Sequence, residues 1–191
     1  MPCFAGVDLA ASLRRPTGVA IICALGSGEL LSLATISELY HDDEITQLLL
    51  EHDVSVAAID APLSLPPPGH CFRHVERKLL SIGGRLLPLT MEPMRRLAER
   101  ATKLRKVLDK HRITVIETHP ASVLRVGKCS TYHELYSLFG LHPPPDMSRH
   151  EMDALVAALV AYCAHRDCSL QVRADDGVLY VLRPGICRDT S

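Results

Sequence analysis

The sequence predicts an α/β fold on a mixed sheet, and three features carry that reading. Short apolar strands near the N-terminus are joined by hairpin turns, two later apolar strands are separated by helical segments, and a helix near the C-terminus is apolar on almost every side. Phe4 to Val7 reads as the first strand, Gly18 to Ala24 as the second and Leu30 to Ile36 as the third. Between them lie Arg14-Arg15-Pro16-Thr17-Gly18 and Gly26-Ser27-Gly28, turn material that closes hairpins, so these strands form an antiparallel meander. His41 to His52 places Ile45, Leu48 and Leu49 at helical spacing. Val54 to Ile59 is a fourth strand, too apolar to have one wet face.

The segment from Pro62 to Arg112 opens on the breaker Pro66-Pro67-Pro68-Gly69 and holds two expected helices, 73–82 and 91–111. It reads as a basic helical insertion, 62–112, lying over one end of the sheet. Ile113 to Ile116 is strand five. After a variable region closed by Pro143-Pro144-Pro145, Ser148-Arg149-His150-Glu151 has the capping-box pattern and starts a helix that runs to about His165. Val178 to Leu182 adds a last strand.

A chain of 191 residues, 47% apolar and 23% charged, fits one domain, 1–191, with a sizeable core. No stretch approaches the ~18–20 continuous apolar residues of a membrane helix, and Met1-Pro2-Cys3-Phe4 lacks the basic-then-apolar pattern of a signal peptide. A cytoplasmic location is therefore expected. The seven cysteines form no C-x-x-C pair, so reduced, structural thiols are expected as well. His70-Cys71-x-x-His74 has metal-ligand residue types but lacks a second ligand pair.

The element order explains why a core strand ends on an acid. The first strand reaches the fourth only through a crossover, and crossovers make parallel neighbours, so strands one, four and five are expected side by side and parallel. Asp8, Asp60 and Glu117 then stand at the carboxyl ends of adjacent strands ~4.8 Å apart, where α/β sheets carry their sites. The C-terminal helix is apolar from Met152 to Ala164 except for Asp153, a lone ionisable group on a buried element. Four neighbouring carboxylates repel one another. A hard divalent cation, Mg2+ or Mn2+, relieves the repulsion, and a pair of such ions is the clamp used for phosphodiester cleavage.

These residues resemble a known family. Gly6-Val7-Asp8-Leu9-Ala10 followed by Pro16-Thr17-Gly18-Val19-Ala20, Ala58-Ile59-Asp60-Ala61-Pro62-Leu63, Ile116-Glu117-Thr118-His119-Pro120-Ala121 and His150-Glu151-x-Asp153-Ala154-x-x-Ala157-Ala158 look like the predicted nucleases of domain-of-unknown-function family 429. That family is assigned to the ribonuclease H-like superfamily, alongside the Holliday-junction resolvases, and the match runs from Gly6 to about Tyr162. The resemblance implies a ribonuclease H-like fold and metal-dependent hydrolysis of nucleic acid, with Asp8, Asp60, Glu117 and Asp153 as its catalytic and metal-binding acids.

The charge distribution points the same way. Residues 73–112 carry 12 of the 21 Lys and Arg but only 4 of the 22 acids. A basic block in an otherwise acidic chain suits a polyanionic partner, although the same residues also read as the solvated face of an ordinary helix. Candidate substrate contacts are Arg15 in the first hairpin, Arg73, Arg77, Arg96 and Arg100 in the insertion, and His119 and His150 beside the acids. With three Phe, five Tyr and no Trp, stacking platforms are few, which favours duplex or structured nucleic acid over single strands. A homodimer stays open. Two other readings are a non-catalytic nucleic-acid-binding module of the same fold and an actin-like or sugar-kinase-like phosphotransferase, for which the chain is too short to supply two domains.

Overall fold

The computed structural model describes residues 1–26 and 30–188, so the Ser27-Gly28 part of the expected second hairpin turn lies outside the described residues. A seven-stranded sheet runs through the molecule. β1 (Cys3–Asp8) and β2 (Thr17–Leu25) are buried along nearly their whole length, whereas β3 (Leu30–Leu39) mixes buried with exposed positions, as an edge strand should. The three form the antiparallel meander. β4 (Val54–Asp60) pairs parallel with β1, and β5 (Thr114–Thr118) pairs parallel with β4. β6 (Ser169–Ala174) and β7 (Gly177–Leu182) make a C-terminal hairpin whose second strand joins β5, giving the order β3-β2-β1-β4-β5-β7-β6.

Helices cover both faces. On one lie α1 (Asp42–Glu51) and α3 (Glu92–Lys110), packed on a core that includes Ala5, Val7, Ile21, Ile59 and Val115. On the other lies α6 (Arg149–His165), with α4 (Pro120–Gly127) and α5 (Tyr132–Leu138) packed around it over Phe4, Ala20, Ile22, Ala58 and Ile116. α2 (His74–Ser81) packs against β6 and β7. The 62–112 segment is therefore not an appendage over one end. Its α3 is the crossover between β4 and β5, and Ala101, Leu104 and Leu108 on its inner side are core residues.

Two glycines fix how closely α6 approaches the sheet. A Cβ added to Gly6 on β1 falls 1.9 Å from the Ala154 carbonyl oxygen and 2.2 Å from the Ala158 nitrogen, and one on Gly18 of β2 falls 2.1 Å from the His150 carbonyl oxygen. Backbone thus meets backbone, and Ala154, Ala157 and Ala158 supply the small side chains that permit it. The N-terminus of α6 is held by the expected capping box. The Ser148 hydroxyl accepts from the Glu151 N–H at 3.2 Å, and Glu151 accepts from the Ser148 N–H at 2.8 Å.

The expectation of uniformly reduced cysteines is overturned. Cys3 and Cys23 are direct cross-strand partners on β1 and β2 and form a disulfide, and a second disulfide joins Cys129, after α4, to Cys187, after β7. Neither pair is close in sequence, so no local cysteine motif announced them. Among the described residues no helix is long and apolar enough to cross a membrane.

Candidate acidic site at the strand ends

Asp8 ends β1, Asp60 ends β4 and Glu117 lies one residue before the end of β5, so all three acids sit at the carboxyl ends of adjacent parallel strands. The register separates them by face. Val7, Ile59 and Glu117 stand in line across the three strands. Side chains alternate along a strand, so Asp8 and Asp60, one residue further on, point to the opposite face, where the N-terminal turn of α6 waits. His150 on that turn places Nδ1 2.6 Å from Asp8 Oδ2.

Each acid has a distinct environment. Asp8 is pushed up from its ordinary value by burial and by the Asp153 charge, with His150 opposing. Asp60 is held well above the ordinary carboxylate range by burial and by the charges of Asp8, Asp153 and Glu117, and its carboxylate takes no hydrogen bond from any described residue. Asp153 accepts from the Tyr132 hydroxyl at 2.6 Å on one oxygen and from Arg149 Nε at 2.7 Å on the other. Glu117 is buried and bidentate to Arg73. One of its oxygens accepts from Arg73 Nη2, and the other from Arg73 Nη1 and the Leu63 N–H, each at 3.0 Å.

An unpartnered carboxylate repelled by three others fits a divalent cation, since the alternative is to bind a proton. The four acids are not drawn into one tight cage, however. Among the described residues the one group of three with ligand atoms within 4.8 Å of one another is His74, Asp175 and Asp176. Those atoms already serve α2: Asp176 accepts from the His74 and Val75 N–H groups, and Asp175 lies 2.8 Å from His74 Nδ1. The same His74 belongs to the His70-Cys71-x-x-His74 stretch, whose Cys71 is an exposed free thiol.

Asp8, Asp60, Glu117 and His119 line a cleft of about 170 Å³ walled by Leu9, Leu86, Leu87, Met94 and Leu97. His119 caps α4, its Nδ1 accepting from the Ser122 N–H at 3.1 Å. Burial brings its pKa down to about 4, so near neutral pH the ring is uncharged and carries its proton on Nε2. It offers a neutral donor rather than a cation.

The basic candidates divide. Arg73 is 1% exposed and Arg100 9% exposed, and both spend their charge inside the fold. Arg73 pairs with Glu76 and Glu117. Arg100 bonds Asp42, the Ala10 and Tyr40 carbonyls and the Thr17 hydroxyl, tying α3 to the meander. Neither presents a guanidinium to a ligand, which corrects their assignment as substrate contacts. The α3 pattern contained the signal: Arg100 falls in the same helical row as Ala101, Leu104 and Leu108. Arg15, Arg77 and Arg96 are exposed, and Arg96 has, among the described residues, only the surface partner Glu92, at 2.9 Å. Ser12 and Leu13 of the first hairpin share a concavity with Arg96 and Lys103, so that hairpin and α3 form one surface.

The sheet order and the two helical layers define a ribonuclease H-like α/β fold. Two solved structures of Thermus thermophilus RuvC share it, one of them in complex with a Holliday junction substrate. Each is 14% identical to this chain and covers 86% of it and 96% of its own length, with TM-scores of 0.55 for the complex and 0.54 for the other. No family model and no curated protein matches the chain.

Proposed function

We propose that this chain is a divalent-metal-dependent nuclease that hydrolyses phosphodiester bonds of structured nucleic acid at the acidic strand ends. The observation that carries the reading is Asp60, a carboxylate with no hydrogen-bond partner among the described residues, repelled by Asp8, Asp153 and Glu117 on a ribonuclease H-like sheet. Asp8 and Asp60 would hold Mg2+ or Mn2+. A cation there supplies Lewis-acid stabilisation of the charge that develops on phosphate oxygens. The chain's own groups do the rest. His150, half-exposed and bonded to Asp8, is placed to pass a proton between the site and solvent. His119 lines the cleft and would donate there from Nε2, and Arg149 holds Asp153 in place.

A branched DNA is the first substrate to try, given the RuvC complex among the structural neighbours. A nucleotide-binding phosphotransferase is less well supported, because a cleft of about 170 Å³ falls below the ~300–1,000 Å³ of small-molecule sites. The test incubates the protein with labelled four-way junction, duplex, RNA–DNA hybrid and single strands, in Mg2+, Mn2+ or EDTA. Cleavage of a structured substrate that needs the metal and is lost in Asp8→Asn and Asp60→Asn is expected. Cleavage indifferent to EDTA, or retained in both variants, would overturn the proposal.

A further inference from the structure

The metal stoichiometry of the site follows from which carboxylate oxygens the fold has already committed. Glu117 accepts three hydrogen bonds, two from Arg73 and one from the Leu63 N–H, and Asp153 accepts one on each oxygen, from Tyr132 and from Arg149. Asp8 gives one oxygen to His150, and Asp60 gives none to any described residue. The strand register adds an independent constraint, since Glu117 stands in line with Val7 and Ile59 while Asp8 and Asp60 face α6. Arg73 is itself almost wholly buried, shares its charge with Glu76, and has its Nε left without a partner. Pulling Glu117 away would leave the buried guanidinium with Glu76 as its one carboxylate among the described residues.

Building on the metal-dependent reading above, we infer that the site takes a single divalent cation, held by Asp8 and Asp60, because Arg73 keeps Glu117 on the opposite face and away from it. Glu117 is then the inner anchor of Arg73 and not a metal ligand. The arrangement departs from a four-carboxylate, two-ion site. The charge around Glu117 is fixed by the protein, and that around Asp60 is left for the cation.

Mn2+ binding to the whole chain tests this without any substrate. Titration followed by electron paramagnetic resonance should give one ion per chain, with no spin coupling between manganese ions at saturation. Asp60→Asn should lose binding by at least tenfold. The double variant Arg73→Gln with Glu117→Gln, which keeps an uncharged hydrogen-bonded pair in place, should bind one Mn2+ within about threefold of the parent affinity. Two coupled ions in the unaltered protein, or a tenfold loss in a double variant shown by circular dichroism to be folded, would overturn the one-ion inference and leave the nuclease reading intact. No Mn2+ binding at all would overturn the nuclease reading, and this inference with it. The stoichiometry of the unaltered chain decides the matter even if the double variant does not fold.

Discussion

Asp60 and His119 sit within one cleft and are displaced in opposite electrical senses, which makes their pH dependences separable. The Asp60 carboxyl is raised, so the folded state favours its protonated form. That contribution is fully present below the ordinary value of 3.8 and is lost as the pH rises through the raised folded value, leaving repulsion at neutral pH. Asp60→Asn should therefore melt higher than the parent at pH 7.5 in EDTA, by about 2–4 °C for each kcal/mol recovered, while Mn2+ should stabilise the parent alone. Thermal melts of both proteins with and without metal check this, and a lower melting point for the variant in EDTA would contradict it. His119 runs the other way. Its pKa falls from 6.5 to about 4 on folding, so the stability it lends is present above 6.5 and is lost as the pH drops through 4. His119→Asn keeps an acceptor for the Ser122 N–H but cannot titrate. Urea unfolding at pH 7 and pH 4.5 should show the parent losing more stability than the variant, by on the order of 2–3 kcal/mol. Equal losses would remove His119 as a cause.

At the scale of elements, the approach of α6 to β1 and β2 depends on residues that have no side chain. Gly6→Ala forces a methyl into the backbone of Ala154 and Ala158, and overpacking of this kind costs ~1–3 kcal/mol, with the upper end expected where only backbone can yield. Gly177→Ala is the control, because its added Cβ meets Val75 at an ordinary 3.6 Å. Denaturant unfolding should separate the two by at least ~2 kcal/mol, and a neutral Gly6→Ala would show that α6 can slide. The sequence displayed much of this level. Apolar runs and hairpin turns revealed β1 to β5 and β7, and the Ser148-to-Glu151 capping box located α6. It hid α4 and α5, because His119-Pro120 reads as a corner where it is in fact a helix cap with proline at its first position, and because α5 spans only Tyr132–Leu138. β6 lies against β7 with mostly half-buried positions and no continuous apolar run. The site was legible as far as strand ends, which local pattern marks. The face on which Glu117 stands was not, because a shift of one residue in register reverses it and register is a property of pairing. The destinations of Arg73 and Arg100 were concealed for a related reason: the sequence displays a charge but not the carboxylate that meets it.

For the whole molecule, the basic character of residues 73–112 separates into an inner and an outer set. Arg95, Arg96, Lys103 and Lys106 face solvent from α3, beside the first hairpin, while Arg100 is a structural bolt. Phosphates can be engaged only by the first set. Arg96→Ala with Lys103→Ala should flatten the salt dependence of nucleic-acid binding by roughly 0.9 log unit for each phosphate no longer neutralised, leaving thermal stability nearly unchanged. Arg100→Ala should instead destabilise the fold by about 1–3 kcal/mol, since it leaves Asp42 and two carbonyls without their donor. Filter binding at several salt concentrations, with melting curves for both variants, distinguishes the roles. A salt slope unaltered in the double variant would assign α3 to plain solvated surface.

The seating of α6 on Gly6 and Gly18 also bears on how the protein should respond to heat. Side-chain packing softens gradually on warming, as rotamers begin to exchange, but a contact between two main chains has no rotamers to release. Asp153 and His150 ride on the helix so seated, and Asp8 lies on the strand beneath it. The spacing of the acids should therefore hold constant until the sheet itself comes apart, and the logarithm of the proposed cleavage rate should fall as a single straight line against reciprocal temperature, with no bend before the melting transition.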